Sequence, residues 1–324
     1  MLLSSIPLTD TINYVASQTQ SIKIPRNRFI REIQCKLEVN TTNGATGPTL
    51  SDNGILDLVK RLRLRANGKD IKFECPMAWR YYEQQYIQGT APQLIQPSTT
   101  ANATSTGYAE ASMHFAQDEN NENDIIALLP AAAFTDLQLE ADWGANTDIA
   151  TANPPTINAA STLIRVTLVE AVLTDEDIAV LKSLFNGEAK LLNKIVRYLQ
   201  ITTDNSYSNF GFSKNILTGS LVERHTIFVV DNSIRSDAEY TQFRFFQYSP
   251  VKTELENRRW AESQYRNKRT FHIESIVRGM TMVDWKSKGY LNLTKMKDGD
   301  IKFEANTNSP TATSYIGIVQ TEYN

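Results

Sequence analysis

The chain has 324 residues and a mass of 36.5 kDa, enough for one large or two ordinary domains, each with its own core. Its 4 Trp, 13 Tyr and 13 Phe within 41% hydrophobic content exclude a disordered chain, and 14 Gly with 11 Pro exclude collagen-like and linker-like sequence. A formal net charge of −3 excludes a generally polycationic, histone-like protein.

Met1 to Pro7 is apolar but has no basic flank and too short an apolar run for a secretory signal. No stretch approaches the roughly 18 to 20 apolar residues of a membrane span, so synthesis and folding in a cytoplasm are expected. Residues 1–25 read as an N-terminal arm.

From Phe29 the sequence reads FIREIQCKLEV, with Ile33, Cys35, Leu37 and Val39 alternating with polar residues. Period two marks a strand with one dry and one wet face. Leu58 to Ala66 repeats the pattern, with Leu62 and Leu64 on one face and basic residues on the other. Asn67-Gly68 and then Lys69 to Phe73 follow, the strongest local signal for a hairpin. After Pro76, Trp79, Tyr82 and Tyr86 recur at helical spacing, predicting a short helix that ends near Gly89. Residues 90–107 are expected as a long loop, followed by strands at Tyr108–Phe115, Ile125–Leu129, Phe134–Ala141 and Leu163–Val172, with a second long loop at 144–160. Thr174-Asp175-Glu176-Asp177 caps a helix with Ile178, Leu181 and Phe185 on one face, stopped by Asn186-Gly187. Beyond it, strands are expected at Ile195–Thr202, Leu221–Val230, Tyr240–Tyr248, Tyr290–Leu293, Asp300–Ala305 and Tyr315–Val319. Glu254–Arg269 is the long polar, helix-permitting stretch among them.

The two halves echo each other. Leu62-Arg63-Leu64 precedes Trp79 as Phe243-Arg244-Phe245 precedes Trp260, both at an offset of 181 residues. Phe29–Asn40, Leu137–Glu140 and Leu163–Glu170 find counterparts in Leu221–Asn232, Ile301–Glu304 and Tyr315–Glu322. Each half reads strand, strand, interposed helix, several strands, closing strand. The fold class is therefore all-β, two consecutive sandwiches of the jelly-roll kind. A generic tandem pair, such as two immunoglobulin-like sandwiches, fits less well, because those domains run near ~100 residues and lack an interposed helix. The expected boundaries are an arm at 1–25, a first jelly roll at 26–173, a junction helix and linker at 174–190, and a second jelly roll at 191–324.

Charge is uneven along the chain: 12 basic against 7 acidic residues over 1–80, 1 against 14 over 81–180, and 20 against 15 over 181–324. Such segregation either decorates a surface or lets neighbouring copies meet through opposite charge. Lys23, Arg26, Arg28 and Arg31 could face phospholipid or packaged nucleic acid, but they are too sparse for a nucleic-acid arm and carry no sequence-reading motif. Arg258, Arg259, Arg266, Lys268 and Arg269 form a second cluster, read as a solvated or intersubunit face or an anion site. Asp118, Glu119, Glu122 and Asp124 share an oxygen-rich loop that is either a weak calcium site or a wet loop, without EF-hand spacing. His114, His225 and His272 show no metal spacing, and the first two fall within strands. Cys35 and Cys75 are free buried thiols or a single bridge. Glu140 with Asp142 is the nearest carboxylate pair for glycoside hydrolysis. No nucleophile elbow, phosphate loop or dinucleotide fingerprint is present, so no enzyme, cofactor or catalytic residue is expected. Trp79 and Trp260 are candidates for core packing, a subunit anchor or ligand stacking.

The strand Phe29–Val39, the segment LRLRANGKDIKFECPMAWRYYEQQY from Leu62 to Tyr86, its counterpart Phe243–Tyr265, the helix Thr174–Phe185 and the ending Thr321-Glu322-Tyr323 together resemble the double jelly-roll major capsid proteins of icosahedral DNA viruses. The likeness is to the PRD1/adenovirus-like lineage and its smaller members from membrane-containing bacterial and archaeal viruses, and it spans essentially the whole chain. It implies homotrimeric, pseudo-hexameric capsomers that tile a virion shell around a genome and an internal membrane. Implied partners are neighbouring capsomers, minor capsid and vertex proteins, and lipid reached through the Met1–Pro25 arm at the inner base. The loops 90–107, 117–124 and 144–160 are the implied outward features, with the acidic middle outside and the basic start inside. A tandem β-sandwich carbohydrate-binding or adhesin protein is the alternative, favoured by exposed aromatics near long loops, and a glycan-cleaving sandwich is the third reading.

Overall fold

The computed structural model describes residues 1–203, 205–308, 311 and 313–324. Its main elements in chain order are β1 (Leu2–Pro7), β2 (Thr19–Lys23), β3 (Phe29–Thr42), β4 (Val59–Ala66), β5 (Asp70–Cys75), α1 (Met77–Gln88), β6 (Thr104–His114), β7 (Leu137–Trp143), β8 (Leu163–Val172) and α2 (Asp175–Leu184). There follow β9 (Lys194–Thr202), β10 (Tyr207–Asn215), β11 (Leu221–Asp231), β12 (Tyr240–Gln247), β13 (Thr253–Arg259), α3 (Trp260–Thr270), β14 (Met280–Asp284), β15 (Ile301–Thr307) and β16 (Tyr315–Tyr323). Clustering of contacts divides the chain into unit 1, residues 1–195, and unit 2, residues 196–324.

In unit 1 one sheet runs β1-β8-β3-β6 and the other β2-β7-β4-β5, every neighbour antiparallel. The alternation of β3 sets its register: Ile33, Cys35, Leu37 and Val39 are at most 1% exposed, while Gln34 faces water. Leu62, Leu64 and Leu139 close the core from the other sheet. Asn67 and Gly68 both have positive φ, 52° and 76°, as a type I′ hairpin turn requires, and the Lys69 amide donates to Ala66 O at 3.2 Å. Pro76 opens α1 in an extended conformation and Gly89, at φ 73°, closes it in the left-handed region. Thr174 and Asp177 form the expected capping box on α2.

Unit 2 repeats the plan. Its sheets run β9-β16-β11-β14 and β10-β15-β12-β13, the same order, element for element, as in unit 1. α3 follows β13 as α1 follows β5. Register repeats as well, since Arg63 faces Glu140 across β4 and β7 as Arg244 faces Glu304 across β12 and β15. The core differs in kind. Between the sheets of unit 1 the facing strand positions are largely aliphatic, Ile33, Leu37, Val39, Leu62, Leu64 and Leu139, whereas Phe243, Phe245 and Phe303 pack ring to ring in unit 2 with centroids 5.5–6.4 Å apart. Trp79 and Trp260 are 2% and 3% exposed, which assigns both to cores, and the Trp260 indole N–H donates to Asp237 Oδ1 at 2.9 Å.

Several expectations need correction. Residues 1–25 contain three strands of the first sandwich, Leu2–Pro7 and Ile12–Asn13 paired with β8 in one sheet and Thr19–Lys23 paired with β7 in the other, with Ile12, Tyr14, Ile22 and Ile24 buried, so this segment is built into unit 1 and is no separate arm. β6 begins at Thr104, inside the expected loop 90–107, because backbone pairing with Thr42 of β3 carries it. Ile125–Leu128 is a buried turn-rich segment packed with Ala171 and Leu181, and only Leu129 pairs with β3. The first part of Glu254–Arg269 is strand β13, because its inward positions are filled by Glu256 and Arg258, joined at 2.7 Å, so the alternation is carried by an ion pair. β10 and β14 fall outside the expected strands. Asn209 and Phe210, at φ 53° and 58°, interrupt the first, and β14 is buried through four of five residues and shows no alternation.

Candidate functional site

The two ends of unit 1 differ. At the C-terminal end of β3 lie residues 43–58, 89–103 and 144–162, held together by Asn43 Nδ2, which donates to Ser98 O and Thr100 O at 2.8 and 2.7 Å, and by Thr42, which pairs with both Thr104 and Thr156. At the opposite end the start of β3 meets the 117–124 loop: Arg31 is buried and donates to Asn121 O at 2.8 Å and Asp124 O at 3.2 Å. The structure therefore separates 117–124 from the other two expected outward loops. It also puts the basic group Lys23 to Arg31 at the same end as that acidic loop, because the loop leaves β6 where β3 begins. Arg26 donates to Phe134 O, and Arg28 lies 3.7 Å from Glu170, so the group is largely engaged within the unit.

The carboxylates of the loop are engaged as well. Glu119 is buried between Arg80 Nη2 at 2.7 Å and Lys194 Nζ at 3.3 Å. Asp124 accepts the backbone N–H groups of Asp118 and Ile126. Only Asp118 and Glu122 remain exposed, and among the described residues no three His, Cys, Asp or Glu side chains converge on one point. Arg80 also holds Glu83 at 2.6 Å, making a buried group of two cations and two carboxylates that ties α1 to the loop and to Lys194. The only hint of it in the sequence was Arg80 and Glu83 at helical spacing.

Glu140 and Asp142 sit on the outer face of β7, under Arg61, Arg63 and Arg65 of β4. Arg63 reaches Glu140 at 2.8 Å and Asp142 at 3.2 Å, Arg65 also contacts Glu140, and Thr19 Oγ1 donates to Asp142 at 2.6 Å. This is a cross-strand charge ladder, in which arginine side chains and the Thr19 hydroxyl engage both carboxylates. His225 is buried, accepts a hydrogen bond from Trp285 Nε1 on its Nδ1 at 2.9 Å and donates from Nε2 to Gln320 Oε1 at 2.9 Å. Burial, against that Gln320 bond, lowers its pKa to about 4. His114 Nε2 lies 3.2 Å from Glu32 Oε1. His272 stands alone after α3, at φ 52°.

Cys35 and Cys75 are free and buried in opposite sheets. Burial first, then the charge of Glu32, pushes the Cys35 thiol up to about 12, and burial raises Cys75 well above the ordinary value. Neither thiol is expected to react with an aromatic disulfide reagent in the folded protein, and both should react on unfolding. Stoichiometric labelling of the native chain would overturn this.

Surface features fall into two groups. In unit 1, Leu2, Leu3 and Ile6 of β1 and Val172 of β8 are exposed beside a groove of about 630 Å³ lined by Phe29, Ala171, Ile178, Leu181 and Leu191 with Arg28 at its rim. In unit 2, α3 exposes Tyr265 to 67% along a groove of about 540 Å³ shared with Glu262, Arg266 and Arg269. Of the second basic cluster, Arg258 turns inward to Glu256, while Arg259, Arg266, Lys268 and Arg269 stay outside. Burial opposes ionisation of Glu256, but hydrogen bonds from Arg258 and Lys288 hold its pKa low. No helix among the described residues is long and apolar enough to cross a membrane.

No family model and no curated protein sequence matches the chain. Solved structures do. The chain is similar over 100% of its length, and 97% of the other chain, to the major capsid protein of the Sulfolobus turreted icosahedral virus STIV, with TM-score 0.80 and 16% identity. It is similar over 100% of its length, and 98% of the other chain, to the major capsid protein P2 of bacteriophage PM2, with TM-score 0.60 and 14% identity. A chain of the PBCV-1 virus capsid matches 100% of this chain with 93% of its own, at TM-score 0.58 and 12% identity. The fold is the double jelly roll of these major capsid proteins.

Proposed function

We propose that this chain is a structural major capsid protein, whose homotrimers present six like units and tile an icosahedral virion shell. The observation that carries the reading is the twofold occurrence of one eight-strand order within a single chain, matched end to end by capsid proteins of nearly the same length. Two like units per chain let a threefold assembly fill sixfold positions in a lattice. Neighbouring capsomers, minor shell proteins and a vertex protein are the partners this role requires. The host cytoplasm is the site of synthesis and the virion the destination. The exposed Leu2, Leu3 and Ile6, beside the groove rimmed by Arg28, support contact of this end of unit 1 with an internal lipid layer. Carbohydrate binding called for exposed aromatics near the long loops; the exposed aromatic side chains among the described residues are Tyr248 and Tyr265, and neither belongs to those loops.

Light scattering of the purified native protein at two concentrations tests the reading. A species of three times 36.5 kDa is expected. A monomer at both concentrations would remove the sixfold tiling on which the proposal rests.

A further inference from the structure

α1 and α3 hold equivalent places in their units, yet only α1 is covered. Nine residues of α1 are buried, and its one cation, Arg80, is held by Glu83 and Glu119. α3 buries Trp260, Ser263, Gln264 and Asn267 and turns Glu262, Tyr265, Arg266, Lys268 and Arg269 to solvent. Among the described residues no carboxylate pairs with Arg266, Lys268 or Arg269. Like charges three residues apart on a helix repel by a few tenths of a kcal/mol, so the unit carries this face at some cost to itself. An exposed tyrosine among arginines has the composition of an interface anchor.

We propose that this face of α3 docks α2 of a second copy of the chain, the two helices lying antiparallel. The inference rests on the capsomer reading and specifies its contact. The order of chemistry along the helices matches. α3 runs Glu262, Tyr265, then Arg266 and Arg269, all within one arc of its surface. α2 begins with Asp175 and Glu176, and Glu176, the 49% exposed Val180 and the 54% exposed Leu184 follow one another at four-residue spacing along one face. Reversed against α3, the carboxylates of the first turn of α2 meet Arg269 and Arg266, and Val180 meets the Tyr265 ring. From Arg269 to Tyr265 and from Glu176 to Val180 the rise is the same, about 6 Å at 1.5 Å per residue. Asp175 and Glu176 have no cation among the described residues.

Charge at the level of the units agrees. Unit 1 carries 16 basic against 22 acidic residues, a net −6, and unit 2 carries 17 against 14, a net +3. In a threefold ring each contact joins one patch of the chain to a different patch of the next copy, which is what two patches of opposite sign provide. A nucleic acid or an anionic membrane is a poorer occupant, because Glu262 stands inside the groove and would repel a polyanion.

The test compares four full-length proteins by light scattering across concentration: wild type, Arg266→Glu with Arg269→Glu, Asp175→Lys with Glu176→Lys, and all four changes together. Each double variant should weaken self-association about tenfold or more, and the quadruple variant should recover most of the loss. Circular-dichroism melts report whether each variant folds. Tyr265→Ala, which leaves every charge in place, should weaken association without shifting the melt. The proposal is overturned if the wild type is trimeric and neither double variant dissociates, or if both dissociate and the quadruple variant does not recover. It is overturned in favour of an anion-binding face if all variants stay trimeric while Arg266→Glu with Arg269→Glu abolishes binding to phosphatidylglycerol vesicles or duplex DNA. A wild type that is monomeric throughout would instead defeat the capsomer reading itself.

Discussion

Arg80→Met is expected to lower the stability of unit 1 by about 3–5 kcal/mol, the cost of leaving a buried ion group without one of its charges. The arginine side chain is 2% exposed and serves two carboxylates that are themselves 0% and 1% exposed. Its Nε also donates to Ser112 O at 2.5 Å, which pins α1 against β6. Methionine matches the length of the stem but removes the guanidinium that Glu83 and Glu119 both hold, while Lys194 reaches Glu119 alone among these ion pairs. Those carboxylates must then take up protons or admit water, and either route loosens the contact of α1 with the 117–124 loop. Arg165→Met is the control. Arg165 pairs with Glu38 at 2.8 Å, but the arginine side chain is 57% exposed, and exposed pairs contribute roughly 0–1 kcal/mol. Urea unfolding of both variants and the wild type checks the ranking. A loss below about 1 kcal/mol for Arg80→Met would show that the buried group is not what fastens α1. Since a domain is stable by about 5–15 kcal/mol in total, the expected loss should also show as faster proteolysis within 1–195.

The legibility of this fold in its sequence follows from where the register is enforced. β3 and β8 were readable because one face of each is core and the other is wet, so the pattern and the structure are the same fact seen twice. The turn at Asn67-Gly68 and the capping box at Thr174 were readable because a single backbone geometry demands those residue types. β1 was not, because Leu2, Leu3 and Ile6 are all exposed and the strand exists through its ladder with β8 rather than through a buried face. β13 was not, because its dry positions hold Glu256 and Arg258, which any hydropathy pattern scores as wet. The candidate site was half legible. The cations of α3 stood out as a cluster, but the inward turn of Arg258 and the exposure of Tyr265 depend on which way the helix is rolled onto β14, and that is a property of the packed unit. The charge runs misled for a related reason. Glu119, Glu140 and Glu170 count as acidic surface in a sequence sum, yet each is buried and takes a cation from a segment distant in the chain. The surface that a partner meets is what remains after these internal pairs are removed, and in unit 1 that remainder includes Asp118, Glu122, Asp175 and Glu176.

Acidification is expected to weaken unit 2 through His225. The ring is 0% exposed and stacks on Phe245 with centroids 4.7 Å apart. Trp285 Nε1 donates to its Nδ1, so the neutral tautomer with the proton on Nε2 is the one this site holds, and a second proton has no acceptor to meet. Burial accordingly brings the pKa from 6.5 down to about 4, the bond to Gln320 acting in the opposite direction. With the folded value below the unfolded one, the unfolded chain takes up the proton first. The contribution of His225 is thus fully present above pH 6.5 and is lost as the pH falls from there to about 4. At 1.36 kcal/mol per unit, the loss at the acid end is on the order of 3 kcal/mol. His225→Gln keeps a donor and an acceptor at the site and removes the titration. The variant should be less stable than the wild type at neutral pH, and the gap should close by that amount as the pH is brought down to 4. Comparing the pair cancels the titration of every other group, including Glu239, whose pKa burial and the charge of Asp231 raise. A gap that stays constant with pH would mean that His225 takes up its proton in the folded state as readily as in the unfolded one. The Trp285–His225–Gln320 chain would then have to open to water well before the unit unfolds.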